Sequence, residues 1–174
     1  MNTIFRYTNF YELMFTMAVF LSLISCEQIP EPKTEIDIKY GLIFKQGDSK
    51  PFSGVVKDTV NGKMIEYEVI DGKKNGEFKT YFNNGKLEMV GRIKENLNQR
   101  KWTYYYQTGQ VESEGTFKDD LPVGKWKWFY ENGRIKEEGI YVKGDREGRW
   151  VLYEADSKIK EEKMFRQNLI IETK

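Results

Sequence analysis

Blocks of alternating hydrophobic and polar residues, separated by turn-forming pairs, run through most of the chain. Residues 135–141 alternate with a period of two, which is typical of a half-buried strand. Residues 124–131 are rich in aromatic side chains and also favour a strand. Between them, Asn132-Gly133 is a pair that tolerates positive φ at both positions, as a two-residue hairpin turn requires. The segment therefore predicts a β-hairpin, and Asn84-Gly85 repeats its turn.

This unit recurs every 24 residues. Trp102, Trp126 and Trp150 are 24 apart, and Phe78 holds the same position one unit earlier. Four more columns share this step: Tyr81, Tyr105, Phe129 and Tyr153; Gly85, Gly109 and Gly133; Gly91, Gly115 and Gly139; and Ile93, Phe117, Tyr141 and Phe165. The predicted array covers residues 54–171, as the units 54–75, 76–99, 100–123, 124–147 and 148–171, of which the first is degenerate.

The two most regular aromatic columns raise a question about the faces of the sheet. Trp126 and Phe129 are three residues apart, so strict alternation would place them on opposite faces. Either the strand carries a bulge or aromatic residues lie on both faces, and the pattern leaves both open. The glycine column, which includes Gly115, is expected where a side chain would meet the aromatic ring of the neighbouring hairpin.

Both ends of the array carry further strand patterns. Residues 36–53 form the predicted N-terminal capping strand, because Ile36, Ile38 and Tyr40 begin an alternation that continues to residue 44. At the other end, the apolar run 168–171 is expected to close the second edge, since an uncovered edge strand invites pairing with another chain.

Composition narrows the class of function. Aromatic residues make up 15% of the 174 residues and glycine is frequent, which favours an all-β fold: an array of antiparallel hairpins forming an elongated, twisted sheet. A net charge of +1 provides no long-range field for nucleic acid. Histidine is absent, which removes the usual general base and metal ligand. We therefore predict no enzyme activity, no cofactor, no metal site and no small-molecule substrate.

The first residues favour export. An uncharged, mostly apolar run from Leu13 follows Arg6 and ends in Leu23-Ile24-Ser25-Cys26, which resembles the bacterial lipoprotein signal. That resemblance implies a signal peptide over 1–25, lipidation of Cys26 and an anchor in the cell envelope. The glutamate after the cysteine and the acidic segment that follows are compatible with the outer membrane. The Pro-containing segment 26–35 would be the tether. An uncleaved anchor and a chance hydrophobic tail are the alternatives.

The repeat itself resembles a known family. The pattern Gly-x-Trp-x-x-Tyr-x-x-Asn-Gly-Lys, followed by a glycine and an aromatic residue, is similar to the MORN repeat in its bacterial variant form. The residues that carry it most clearly are Gly124, Trp126, Phe129, Asn132, Gly133, Gly139 and Tyr141. The resemblance implies a binding or scaffolding surface and offers no catalytic residues; such variants are also labelled antitoxins of toxin-antitoxin systems.

The cluster of aromatic and basic residues at 125–130 could stack on bases or sugars, but its recurring columns favour packing between hairpins. Positions that vary between copies are better candidates for a partner surface: Tyr104, Tyr106, Lys127 and Trp128. We predict a membrane-anchored protein that binds an unidentified partner protein. Neutralisation of a toxin, binding of envelope polysaccharide and, least favoured, an envelope enzyme are the alternatives.

Overall fold

The computed structural model describes residues 33–174, so the predicted signal peptide, Cys26 and most of the tether lie outside the described residues. Within this range the fold is all-β. The strands are β1 (Ile36–Lys39), β2 (Leu42–Lys45), β3 (Gly54–Val60), β4 (Lys63–Ile70), β5 (Lys73–Tyr81), β6 (Leu87–Lys94), β7 (Leu97–Tyr105), β8 (Val111–Lys118), β9 (Leu121–Phe129), β10 (Ile135–Val142), β11 (Asp145–Tyr153), β12 (Ile159–Arg166) and β13 (Leu169–Thr173).

Strands β3 to β13 form one antiparallel sheet in which each strand pairs with the strands before and after it in the chain. The sheet has 11 strands and stays open, with β3 and β13 at its two edges. This arrangement confirms the predicted array of antiparallel hairpins. Because strand pairing occurs only between strands adjacent in the chain, each unit buries its rings against the unit before it and the unit after it.

Two kinds of turn alternate along the array. At one end of the strands, two-residue loops have positive φ at both positions, as in type I′ turns. They are Asp71-Gly72, Glu95-Asn96, Asp119-Asp120, Lys143-Gly144 and Gln167-Asn168; Asn61-Gly62 has the same conformation but joins β3 to β4 and so lies at the opposite end of the strands. These five turns connect one hairpin to the next and match the right-handed twist of the strands.

The prediction of a two-residue turn at Asn132-Gly133 is wrong. Gly133 has a φ of 80°, but Asn132 is not in the positive-φ region. The N–H of Gly133 donates to Tyr130 O at 2.8 Å, and the N–H of Tyr130 donates to Arg134 O at 2.8 Å. The loop therefore has three residues, a turn followed by a left-handed glycine. Asn132 contributes by its side chain, whose Oδ1 accepts the N–H of Arg134 at 3.0 Å.

The last loop of this kind has a serine where the others have glycine. Ser157 adopts a φ of 72°, and its N–H donates to Glu154 O at 2.8 Å, as Gly133 does to Tyr130. A non-glycine residue in this region is strained by its Cβ. We expect Ser157→Gly to raise the free energy of unfolding by about 0.5–1 kcal/mol, measured by urea denaturation. The reverse change Gly133→Ser should lower it by a similar amount; a destabilised Ser157→Gly protein would contradict this assignment.

A second positive-φ position lies within the aromatic strand, two residues before the tryptophan. Gly124 (φ 68°) and Gly148 (φ 69°) hold it in two units, and Arg100 keeps the same conformation at φ 60° without being glycine. Here the pairing with the preceding strand shifts register: Val123 and Lys127 are paired, and the irregular stretch 124–126 between them includes the tryptophan. The pairing shifts in the same way in the other two units. From Trp126 to Phe129 strand β9 is continuous, with the irregularity on β10, so these two residues lie on opposite faces. The strand thus carries a bulge and also places aromatic residues on both faces of the sheet, so both alternatives left open by the sequence are correct.

Four of the type I′ turns contact the strand that begins one unit earlier. The second turn residue donates its N–H to a carbonyl of that strand, and an Asn or Asp there accepts the strand's N–H in return. These reciprocal pairs are Asn96 with Lys74, Asp120 with Asn98, and Asn168 with Arg146. Gly144 and Pro122 make only the first bond, at 3.0 Å, since proline has no N–H and glycine no side chain.

The predicted single capping strand at 36–53 is instead a hairpin. Strands β1 and β2 pair around Tyr40-Gly41, whose φ values of 55° and 75° form a type I′ turn. The expected alternation fails there, because Tyr40 is 99% exposed whereas Ile43 is buried. Ile43 packs with the core cluster of Val56, Tyr67 and Val69, and its N–H donates to Gly72 O at 2.8 Å. The hairpin thus covers the first strands of the array.

At the opposite end, the predicted apolar run 168–171 contributes β13, which pairs with β12. Its side chains are exposed throughout, including Leu169, Ile170 and Ile171. The run therefore adds one strand to the sheet and is itself the edge within the described residues. Lys163 occupies the position that is glycine in earlier units. Its side chain leaves no space for a tryptophan from the following strand.

Candidate functional site

One face of the sheet carries a continuous ladder of aromatic rings. Successive rings contact one another at centroid distances between 5.0 and 6.4 Å, many of them edge to face. The ladder consists of Tyr67, Phe78, Trp102, Phe117, Trp126, Tyr141, Trp150 and Phe165, with Tyr104 and Trp128 beside it. Edge-to-face contacts of this kind stabilise beyond their buried area. The recurring columns therefore pack hairpin on hairpin.

Each tryptophan of the ladder lies flat over a glycine of the preceding hairpin. A Cβ at Gly115 would overlap the indole ring of Trp126, and Gly139 has the same relation to Trp150. The indole N–H of Trp126 donates to Thr116 O at 3.3 Å, one residue beyond the glycine. The glycine column is thus explained as predicted, by close approach of an aromatic ring.

Trp102 differs from its counterparts in one respect. Its Nε1 is buried without a hydrogen-bond partner, whereas Trp126 and Trp150 donate to backbone carbonyls at 3.3 and 3.2 Å. A buried donor without a partner costs about 1–3 kcal/mol. We expect both Trp102→Phe and Trp126→Phe to lower the free energy of unfolding. The loss in Trp102→Phe should be smaller by at least about 1 kcal/mol, because only Trp126→Phe removes a hydrogen bond. Equal losses in urea denaturation would contradict this expectation.

The opposite face carries ion pairs in register. Lys101 pairs with Glu114 at 2.7 Å, Lys125 with Glu138 at 2.8 Å, and Arg149 pairs with Glu162 one unit further. The hydrogen bond from Lys125 holds the pKa of the Glu138 carboxyl below its usual value, with a smaller contribution from the Tyr153 hydroxyl. Exposed pairs of this kind contribute little stability. The face is hydrated and charged, in contrast to the aromatic one.

The four predicted partner residues do not form one surface. Tyr104 and Trp128 lie on the aromatic face, where Trp128 stacks between Trp126 and Trp150 at 5.8 and 5.7 Å. Lys127 lies on the opposite face, where it is cross-strand from Glu114 and Glu138.

Tyr106 has a structural contact of its own. Its hydroxyl donates to Phe129 O at 2.6 Å, and Tyr130 repeats this contact with Tyr153 O at 2.7 Å. Burial raises the pKa of the Tyr106 hydroxyl, with neighbouring carboxylates adding to the shift, so it remains a donor at neutral pH. Tyr106 thus connects its own loop to the end of the next aromatic strand. The tyrosines at 106 and 130 are 24 residues apart, so the sequence itself indicated that this position has a structural role.

Tyr104 and Trp128 line one open groove of about 380 Å³. Its other lining residues are Glu112, Ser113, Phe117, Pro122, Trp126 and Tyr141. Burial raises the pKa of the Tyr104 hydroxyl, which stays protonated. The groove is apolar and aromatic, with a single carboxylate, from Glu112, among its lining residues.

Sequence reasoning missed Glu112, Ser113 and Pro122 as members of this site. Alternation assigns Glu112 to the hydrated face along with Glu114. A register shift between Tyr104/Ser113 and Tyr105/Val111 leaves Glu112 unpaired on the bulged strand, so it reaches the groove. No sequence signal marks this bulge.

Other kinds of site receive no support from the described part of the chain. In residues 33–174 no group of three or more His, Cys, Asp or Glu side chains is placed to hold a metal ion. The same residues include no helix long and apolar enough to cross a membrane.

Comparisons with known proteins agree with the repeat. Residues 74–94, 101–119 and 122–143 match the family model described as MORN repeat variant. No curated protein matches the chain. One matching solved structure is the crystal structure of a GtfA/B complex bound to UDP and GlcNAc, at 11% identity over 72% of this chain and 26% of that chain, and its TM-score of 0.23 supports no conclusion. MORN repeats are generally modules that bind proteins or membranes. Three hairpins at the centre of this chain are therefore similar to the MORN repeat variant.

Proposed function

We propose that this chain is a non-enzymatic interaction protein that holds a partner protein on the aromatic face of its sheet. The observation that carries the proposal is the groove between Tyr104 and Trp128. The ladder rings on either side of it are packed, yet here half-buried aromatic side chains surround an open space. Aromatic side chains in such concave places are the usual anchors of protein interfaces.

The proposal extends to the location of the chain. The Leu23-Ile24-Ser25-Cys26 motif supports lipid attachment to Cys26, and the tether 26–35 would connect the anchor to the sheet. The bacterial cell envelope, at the outer membrane, is the proposed site of action. An array of hairpins suits scaffolding there, because its binding surface lengthens with each unit while its contacts stay local.

Partner capture tests the proposal. The anchored full chain, tagged at its carboxyl end, is cross-linked in membranes and purified with whatever it holds. We expect one protein at near-equal amount, whose recovery falls about tenfold or more in the double variant Tyr104→Leu/Trp128→Leu. Leucine is already present at the counterpart of residue 128, as Leu152, so the fold should tolerate it.

Lys127→Thr is the matched control, since it changes the opposite face to the residue found at Thr103 one unit earlier. Capture should be unchanged in this variant. Equal recovery by the Tyr104→Leu/Trp128→Leu protein, or loss with Lys127→Thr alone, would remove the aromatic face from the proposal.

Two further experiments separate the remaining functions. Cys26→Ala should abolish incorporation of a labelled fatty acid, and unchanged labelling would exclude Cys26 as the acceptor. Depletion of the chain, with neighbouring genes intact, should leave growth normal; growth arrest would favour the antitoxin function instead.

A further inference from the structure

Two cations of this chain lie on the aromatic ladder. The guanidinium carbon of Arg146 is 4.4 Å from the ring centroid of Trp150 and 5.4 Å from that of Phe165. Near the other end, Nζ of Lys74 is 4.8 Å from the ring centroid of Tyr67 and 5.5 Å from that of Phe78. Ring faces attract cations electrostatically, and these distances lie within the range of that attraction. The ladder therefore already binds positive charge on both sides of the groove.

The middle of the ladder lacks such a cation. Residue 122 is the counterpart of Arg146 one unit earlier, and it is a proline. Trp126 and Tyr141, the counterparts of Trp150 and Phe165, line the open groove next to it. In residues 33–174 no lysine or arginine lies over Trp126, Tyr141 or Trp128. The same pair of rings that holds a guanidinium in the next unit is left unoccupied by the chain's own cations.

The carboxylate of the groove also lacks its expected counter-ion. Glu88, one unit before Glu112, accepts a hydrogen bond from the Thr80 hydroxyl at 3.1 Å and pairs with Lys63 at 2.5 Å. The counterpart of Lys63 one unit later is Leu87, which carries no charge. Within the described part of the chain Glu112 forms no ion pair. The groove thus combines exposed ring faces with an uncompensated negative charge.

We propose that this groove binds the side chain of an arginine presented by the partner protein, an assignment that rests on the proposed function. The guanidinium would lie against Trp126 and Tyr141, as that of Arg146 lies against their counterparts, with Glu112 as its counter-ion. Arginine suits the groove because its planar, weakly hydrated head stacks on aromatic faces and pairs with carboxylates. The partner's arginine would therefore occupy in this unit the place that Arg146 occupies in the next.

Titration of the isotope-labelled full chain with acetyl-Gly-Arg-Gly-amide tests this assignment at low ionic strength. The control peptide replaces arginine by citrulline, which has nearly the same shape and no charge. We expect the indole N–H signals of Trp126 and Trp128 to shift and that of Trp150, covered by Arg146, to stay in place. The arginine peptide should bind about five- to tenfold more tightly than the citrulline peptide. Equal affinities, or no shift with either peptide, would overturn the proposal.

Variants at two lining residues sharpen the test. Pro122→Arg should fill the groove from within, as Arg146 does, and abolish the shifts; Pro122→Asn, which copies Asn98 of the preceding unit, should retain them. Glu112→Gln should weaken binding of the arginine peptide severalfold and leave the citrulline peptide unaffected. If the Pro122→Arg protein melts like the native protein and still binds the peptide equally well, the peptide binds elsewhere and the proposal is overturned. If Glu112→Gln leaves the affinity unchanged, Glu112 is not the counter-ion of the bound arginine.

The same signals distinguish a protein partner from a membrane. Phosphatidylcholine vesicles present a quaternary ammonium group, and shifts caused by these vesicles but not by the arginine peptide would make the ligand a lipid headgroup and overturn the proposal. The proposed function can survive that failure. If capture is lost in Tyr104→Leu/Trp128→Leu but kept in Pro122→Arg, the aromatic face holds the partner without an arginine in this groove.

Discussion

Replacing Trp126 by alanine is expected to lower the free energy of unfolding by about 4 kcal/mol. The ring is buried between Phe117 at 5.1 Å and Tyr141 at 5.9 Å, and it stacks on Trp128 at 5.8 Å. Its removal leaves a cavity that the sheet cannot close, and also frees the carbonyl of Thr116. Urea denaturation followed by circular dichroism measures the loss.

Trp128→Ala is the control for this prediction. Trp128 lies on the same strand and the same face but is only half-buried, so its truncation is expected to cost about 2 kcal/mol. A loss as large as that of Trp126→Ala would mean that Trp128 belongs to the packed ladder and not to a partner surface.

Gly115→Ala is expected to be nearly as severe, with a loss of about 3 kcal/mol and a fall in melting temperature of about 10 °C. The new methyl group would overlap the indole of Trp126, and neither group can move aside, because the ring is wedged between its neighbours. A buried clash of this kind forces the two hairpins apart.

The control is a glycine whose constraint is conformational. Gly133 has a φ of 80° and open space around it, so Gly133→Ala should cost only about 1 kcal/mol, from backbone strain alone. If Gly115→Ala proved no worse than Gly133→Ala, the close approach of ring and glycine would not be the reason for the column.

The two changes should be strongly coupled. In a chain that already carries Trp126→Ala, the methyl group at residue 115 meets no ring, and Gly115→Ala should cost less than about 1 kcal/mol. The interaction energy of about 2 kcal/mol would assign the destabilisation to this one contact. Additive losses would instead indicate that residue 115 needs glycine for its backbone.

The array was predictable because contacts between neighbours impose the same demands on every unit. A tryptophan over a glycine, 11 residues apart, must recur wherever two hairpins meet, so the columns of Trp126 and Gly115 are visible in the sequence. The turns were less accessible. Asn-Gly suits a two-residue turn by its φ angles and a three-residue loop by its side chain, and only the register of the flanking strands decides between them.

The binding surface was predictable only in part. Variation between copies identified Tyr104 and Trp128, which line the groove. It also selected Tyr106, whose hydroxyl bonds to a backbone carbonyl, and Lys127, which lies on the opposite face. The position of Glu112 in the groove was not predicted, because a bulge changes the direction of its side chain and the alternation of residue types does not reveal the bulge. The Tyr40-Gly41 turn was hidden in the same way, inside a run that alternates as one strand would.

A protein of near-identical hairpins can fold with its copies in the wrong order, since a slip of one unit keeps every tryptophan over a glycine. The contact between Gly144 and Pro122 discriminates against that error. If Asp120 or Asn168 took the place of Gly144, its side chain would meet a residue with no N–H to donate, while Gly144 could not satisfy the N–H of Asn98 or Arg146. This one pair of residues thus distinguishes the junction of its two hairpins from the other three junctions.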